Sequence, residues 1–281
     1  MPTFKEVLAI NEKYALDNGK EDTAVKLLLL HFSGLNSSEL LFNIDQEMNE
    51  DAYQNFLYGV DKYVTKNIPV QHIIGTEYFF GYEFIVNKHV LIPRFETEEL
   101  VANMLLLYDD VFDGMEVDLV DIGTGSGCLA ITLDKEEKNM RVTATDISNE
   151  ALAVARENNQ KLRANVTFLQ GDMLEPLRGK KFDIIISNPP YIPNEEYVDS
   201  LVKENEPHVA LFGGEDGLDF YKEIINGADT LLNDKFIIGF EHAYNKAKEI
   251  KELIQQAFDD VEIIQIKDLQ GKDRMTFAIK R

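Results

Sequence analysis

From Val117 to the C-terminus the chain alternates short β-branched, apolar runs with stretches of helical spacing, and this alternation limits the possible folds more than any other feature. The runs are VDLVDIG, RVTATDI, VTFLQGD, FDIIISN and KFIIGFE. The stretches CLAITLDKE, NEALAVARENNQKL, GLDFYKEIINGADTLL and NKAKEIKELIQQAF repeat apolar residues at helical intervals. Runs that are apolar at consecutive positions must be buried on both faces, which requires a parallel sheet covered by helices on each side. The expected fold is a doubly wound, mostly parallel α/β domain. Its last two runs, VEIIQI and RMTFAIK, are joined by KDLQGKD, too short for a crossover helix, so they are expected to pair antiparallel.

Residues 1–75 read differently. Helical spacing recurs in FKEVLAINEKYAL, DTAVKLLLLHF and DAYQNFLYGVDKYV, with Asn, Gly, Ser and Asp clusters between them as stops and caps. Residues 76–95 form a linker in which TEYFFGYEFIV is a β-hairpin about Gly81, followed by an extended, Pro-containing segment. The helix that opens the third domain, residues 96–281, should have Thr97 or Glu96 near its cap.

Between the first parallel strand and its helix, DLVDIGTGSGCLAI spaces Gly123, Gly125 and Gly127 around Thr124 and Ser126. Without Cβ atoms the backbone can turn sharply there, and a ligand can approach main-chain N–H groups at a helix N-terminus. Asp146, 19 residues beyond Gly127, ends the second strand and can accept both hydroxyls of a ribose. NAD and S-adenosylmethionine (SAM) both carry that ribose, and Gly125 to Ala130 also satisfies the dinucleotide pattern, so these residues do not separate the two. Asp172 follows the third strand and suits an adenine amino group, with Met173 against the ring. A cap on the following turn is the competing role for Asp172. Cys128 is expected to be buried behind the loop, facing away from the ligand and not acting as a nucleophile.

At the same strand-end rim the fourth strand finishes in Asn188, Pro189, Pro190 and Tyr191. Proline fixes φ and confines the residue before it to extended backbone, so the cluster is stiff. The Asn188 side-chain oxygen and the Pro189 carbonyl can therefore converge on the two hydrogens of one –NH2 group, with Tyr191 stacked on the flat group behind it. An amide or aryl nitrogen is a poor nucleophile because its lone pair is delocalised. Two acceptors pulling on its hydrogens favour a pyramidal nitrogen and aim that lone pair.

Composition removes several alternatives. With 28 Lys+Arg against 50 Asp+Glu the net charge is -22, which argues against a long nucleic-acid track. Residues 1–75 hold 6 basic and 11 acidic side chains and are no basic arm. The single Cys128 and five scattered histidines predict neither a disulfide nor a metal site. No apolar run approaches the length of a membrane span and the N-terminus has no signal-peptide plan, so a cytoplasmic location is expected.

The tetrapeptide Asn188–Tyr191 together with DIGTGSG resembles SAM-dependent methyltransferases of planar amino groups: the N6-adenine enzymes of DNA and RNA, and the glutamine N5-methyltransferases of peptide chain release factors. PVQHIIGTEYFFGYEFIVNKHVLIPRFETEELV and EPHVALFGGEDGLDFY are similar to segments of the second group, the PrmC/HemK family. That resemblance implies a class I, Rossmann-like methyltransferase. It would move a methyl group from SAM to the glutamine of the Gly-Gly-Gln motif in class I release factors, with an effect on translation termination. It also implies that Gly123 to Gly127, Asp146 and Met173 contact SAM and that Asn188 to Tyr191 contact the glutamine. The helical domain, residues 1–75, is expected to recognise the substrate, since the α/β fold does not need it to bind SAM. The alternative is N6-adenine methylation of DNA or RNA. Two positions depart from the family pattern: Phe95 stands where Pro is usual, and GFEHAYNKA keeps only Glu241 of the usual Glu-Ile-Gly-x-x-Gln run. Phe95 is expected to reshape the wall beside the methionine end of SAM.

Overall fold

The computed structural model describes Met1–Arg281 and divides into two compact units, Met1–Thr76 with Val198–Asn205, and Glu77–Tyr197 with Glu206–Arg281. In the first unit, α1 (Phe4–Asp17), α2 (Thr23–Ser33), α3 (Ser37–Phe42), α4 (Glu50–Thr65) and α5 (Val70–Ile74) close over one core built from Leu28, Leu29, Phe56 and Val60. The sequence reading located α1, α2 and α4. The other two are 6 and 5 residues long, too short to display a helical period. Thr3 and Asn36 each accept from the backbone N–H three residues on and donate their own backbone N–H to the Glu6 and Glu39 carboxylates, which fixes where α1 and α3 begin.

The second unit opens with a hairpin, β1 (Thr76–Phe79) and β2 (Tyr82–Ile85). After it come α6 (Phe95–Phe112), β3 (Val117–Ile122), α7 (Cys128–Glu136), β4 (Met140–Asp146), α8 (Asn149–Leu162), β5 (Thr167–Gln170) and β6 (Phe182–Ser187). The short α9 (Ser200–Lys203) belongs to the first unit, and α10 (Asp219–Ala228), β7 (Leu232–Glu241), α11 (Ala247–Ala257), β8 (Glu262–Lys267) and β9 (Asp273–Lys280) complete the second. Seven strands form one sheet in the order β5-β4-β3-β6-β7-β9-β8, parallel except for β9, which runs antiparallel to both neighbours.

The consecutive apolar residues have the double burial they imply. In β6, Ile184 and Ile186 enter the core beneath α6 and α7, while Ile185 enters the opposite core with Tyr221 and Ile224 of α10 and Ile250 of α11. Order reverses at β3, which lies between β4 and β6, so the loops leaving the C-terminal ends of these three strands surround one crevice. Glu96 and Thr97 fall in the first turn of α6, but the N-cap is Arg94, which makes no side-chain cap bond, and the Thr97 hydroxyl is engaged with Glu241 instead of the helix end.

Candidate active site

The glycine loop is held from three directions. Gly123, Gly125 and Gly127 all take positive φ (77, 55 and 82°), and a Cβ on Gly127 would lie 2.9 Å from Ile131 Cδ1 and 3.2 Å from Ala155 Cβ. Gly125 N–H donates to Asp146 Oδ2 at 2.9 Å, and Ser148 N–H donates to Asp146 Oδ1 at the same distance. Asn158, fully buried on α8, donates to Ser126 O (2.9 Å) and Ile85 O (3.0 Å) and accepts from Ile85 N–H (2.7 Å), so the loop and the hairpin share one side chain. Beneath the loop Thr124 Oγ1 donates to the buried Asp121 (2.6 Å), whose carboxyl is pushed up to about 7 by burial. Burial also raises the Asp146 carboxyl above its ordinary value.

These elements border a cavity of about 340 Å³. Of the residues singled out by sequence, Gly123, Thr124, Gly125, Ser126, Asp146, Asp172, Met173, Asn188 and Pro190 line it, whereas Gly127, Pro189 and Tyr191 are not among the lining residues. Asp172 is exposed at its edge, and Met173 adopts a positive φ of 41°. Cys128 is a correction: as the first residue of α7 it lines the cavity. Burial pushes its thiol up to about 12, which disfavours the thiolate. Phe95 is a second correction, because it is 60% exposed and absent from the cavity wall. It starts α6, where its side chain faces out while Arg94 and Thr97 face in.

The tetrapeptide is braced on both sides. Ser187 Oγ donates to Ile122 O at 2.6 Å, joining the ends of β6 and β3. Asn188 Nδ2 donates to Thr97 Oγ1 at 3.2 Å, and Thr97 Oγ1 donates to Glu241 Oε2 at 2.7 Å. Glu241 ends β7, is 2% exposed, and receives the Tyr221 hydroxyl on its main-chain carbonyl at 2.7 Å. On the other side a Cβ on Gly213 would fall 2.4 Å from Pro190 O, and one on Gly217 2.3 Å from Tyr191 O. Ile192 N–H donates to Leu211 O (3.0 Å) and Gly213 N–H to Ile192 O (2.9 Å), so the glycine-rich return loop lies directly on the tetrapeptide backbone. Tyr191 packs on the core that contains Tyr221, and burial raises its hydroxyl to about 12.

Thr97, Glu241, Gly213, Gly217 and Asn158 carry structural weight that sequence reasoning did not assign. Glu241 had a usable signal: like Asp146 and Asn188 it is a polar residue that follows an apolar strand at the C-terminal rim. Gly213 and Gly217 carried only the turn signal of LFGGEDG, and none of these residues showed its partner, which lies far away in sequence. His242 is buried and neutral, with Nδ1–H donating to Ala243 O and Nε2 accepting from Thr276 Oγ1, both at 2.9 Å. The altered segment after Glu241 is thus satisfied internally. No group of three His, Cys, Asp or Glu side chains could hold a metal ion, and no helix is long and apolar enough to cross a membrane.

Two family models match the chain: the PrmC N-terminal domain over residues 13–75 and the methyltransferase small domain over residues 101–213. The release factor glutamine methyltransferase of Bacillus subtilis is 45% identical over 285 residues, covering 99% of this chain and 98% of that one. That of Bacillus cereus is 42% identical over 277 residues, covering 97% and 98%. Among solved structures, a methyltransferase from Pyrococcus furiosus superposes with a TM-score of 0.53 at 19% identity, covering 81% of this chain and 96% of that one, and so shares the fold. With full-length relatives at this identity and both domain models in register, the chain belongs to the release factor glutamine methyltransferase family.

Proposed function

We propose that this chain transfers the methyl group of SAM to the side-chain amide nitrogen (N5) of the glutamine in the Gly-Gly-Gln motif of class I peptide chain release factors, in the cytoplasm. The observation that carries the reading is the fixed orientation of Asn188. Its Nδ2 is committed to Thr97, so its Oδ1 remains as an acceptor at the cavity wall.

The cavity fits SAM on independent grounds. A Cβ added at Gly123 or Gly125 would meet nothing within 4 Å, and Thr145 Oγ1, in the wall, is buried without a hydrogen-bond partner. Asp146 would accept the ribose hydroxyls on lone pairs left free by Gly125 and Ser148, Asp172 would accept the adenine amino group, and Met173 would cover the ring. When bound, SAM supplies an electrophilic methyl group on a sulfonium.

Asn188 Oδ1 and the Pro189 carbonyl would hold the two amide hydrogens of the glutamine, with Tyr191 behind its plane. The nitrogen lone pair would form the new N–C bond as the methyl group is released from sulfur, and the proton would then pass from nitrogen to water. Positive charge grows on nitrogen in the transition state, so these fixed acceptors act more strongly there than on the bound amide. We assign substrate selection to the helical unit, since one glutamine side chain offers too little area to select a protein.

Incubation of the full chain with methyl-labelled SAM and a purified release factor tests the reading, with duplex DNA and ribosomal RNA as competing acceptors. Label is expected on the release factor and lost when its Gly-Gly-Gln glutamine is replaced. Efficient labelling of bare DNA or RNA would move the assignment to adenine.

A further inference from the structure

The hydrogen bonds behind Asn188 form a chain with a direction. A threonine hydroxyl has one proton and can donate once. The Thr97 proton is directed at Glu241 Oε2, 2.7 Å away, so toward Asn188 the same oxygen can only accept. Asn188 must therefore present its –NH2 end to Thr97 and its carbonyl oxygen to the cavity. If the amide turned over, Oδ1 would face Thr97, and the single hydroxyl proton would have two acceptors to satisfy. Thr97 and Glu241 are buried, at 3% and 2% exposure, while Asn188 is half-buried at the cavity wall, so water has little access to the Thr97 hydroxyl to repair that mismatch.

From this geometry we infer that Thr97 and Glu241 are positioning residues for the methyl-transfer step: the Glu241 carboxylate, acting through the Thr97 hydroxyl, sets which end of the Asn188 amide meets the substrate. The inference rests on the proposed transfer to an amide nitrogen. Neither residue needs to touch the reacting atoms. The pair joins α6 to the end of β7, so the orientation of the side chain that follows β6 depends on elements from distant parts of the domain.

Ionisation of Glu241 is part of the device. Burial pushes its carboxyl up to about 7, with Glu96 adding to the rise, while the Thr97 hydroxyl, Arg274 and the Asn188 amide pull it down. Beyond the effect of burial on each, Tyr191, Tyr221, Cys128 and Arg274 also sense this carboxylate, and its charge raises all four. Once Glu241 is protonated it can donate to Thr97, the hydroxyl proton is freed to turn toward Asn188, and both amide orientations become satisfiable. The lock holds only with the carboxylate.

Full-length Thr97→Val, Thr97→Ser and Glu241→Gln variants test this with release factor as acceptor. Thr97→Val removes the hydroxyl at constant shape and is expected to lower kcat at least ~10-fold, roughly the value of one hydrogen bond, with SAM affinity by calorimetry unchanged. Thr97→Ser restores the hydroxyl and should return kcat to within about threefold of wild type. Glu241→Gln should lower kcat while raising Tm at pH 8, because it removes a buried charge, and it should abolish the fall in wild-type kcat as pH drops through the Glu241 ionisation. If Thr97→Val does not fold, Glu241→Gln decides alone. Wild-type kcat in folded Thr97→Val, or an unchanged acid limb in Glu241→Gln, overturns the inference. Failure of the wild-type chain to label the release factor would instead overturn the proposed function.

Discussion

At the residue scale the site separates binding from chemistry, and single substitutions should read the two apart. Asn188→Ala removes an acceptor from the reacting nitrogen, and we expect kcat to fall by a factor on the order of 10²–10³ with the calorimetric SAM affinity nearly unchanged. Asp146→Ala should do the reverse, weakening SAM by about 1.5–3 kcal/mol with a smaller effect on kcat at saturation. Part of that loss would come from the protein itself, since Asp146 also holds Gly125 N–H and Ser148 N–H. Unchanged SAM affinity in Asp146→Ala would remove it from the binding site. The buried acids impose a pH dependence on stability as well. Asp121 and Glu241 each have a folded pKa of about 7, above ordinary values of 3.8 and 4.5. The stability they contribute is therefore present below the ordinary values and lost as pH rises toward 7. His242 acts in the opposite sense: burial lowers its pKa, so its contribution is lost as pH falls below the ordinary 6.5. Replacing Asp121 with Asn should accordingly raise Tm more at pH 8 than at pH 5, measured by thermal melts at matched ionic strength.

At the element scale the return loop after the tetrapeptide is as important as the tetrapeptide. Pro189 and Pro190 stiffen the strand end, but stiffness alone does not say where the carbonyls point. Gly213 and Gly217 press on Pro190 and Tyr191 at distances no side chain could share, and Gly217 also requires φ of 74°. Gly217→Ala must displace the Tyr191 backbone. We expect a stability loss of about 1–3 kcal/mol and a kcat loss beyond tenfold, read by denaturant melts and steady-state assays of the same preparation. A folded Gly217→Ala variant with wild-type kcat would show that the return loop does not position the tetrapeptide. These glycines were visible in LFGGEDG as a turn signal, whereas their partner, 26 residues upstream for Gly217 and Tyr191, was not.

At the scale of the whole molecule, the chain joins its two units at three places. It enters the second unit after Thr76, leaves it after Tyr197 for Val198–Asn205, and returns at Glu206. Asn67, at φ 53°, fastens that excursion within the first unit. Its Nδ2 donates to Ser200 Oγ (3.2 Å) and Glu204 Oε2 (3.1 Å), and its main-chain carbonyl accepts from Asn205 Nδ2 (2.6 Å). Lys20 Nζ donates to its remaining side-chain oxygen. On return, the buried Glu206 takes up Arg94 (2.6 Å) and Ile92 N–H (3.0 Å) in the second unit. Asn67→Ala removes the side-chain bonds to Ser200 and Glu204 but keeps the carbonyl that holds Asn205, so it should loosen residues 198–205, and we expect faster amide exchange confined to that segment and kcat/KM on intact release factor lowered at least ~3-fold, with SAM affinity unchanged. Exchange protection that persists in 198–205 would show that Asn67 is not the fastening.

The sequence by itself determined what local pattern can encode. Uninterrupted apolar runs specified a sheet buried on both faces, glycine spacing specified a loop open to a ligand, and a polar residue after each of several strands marked the rim. Tertiary structure alone decided how those rim residues are oriented. Thr97 looks like a helix cap in sequence because a threonine at a helix start satisfies a backbone N–H in most settings. Here its hydroxyl is spent on Glu241, 144 residues away, and through that bond it turns Asn188. Cys128 likewise faces the cavity because the left-handed Gly127 sets the first turn of α7, a rotation that residue type does not reveal. Hydrogen-bond direction depends on which donors and acceptors the fold brings within about 3 Å of one another, and that choice is made by packing between distant elements, not by the local chain.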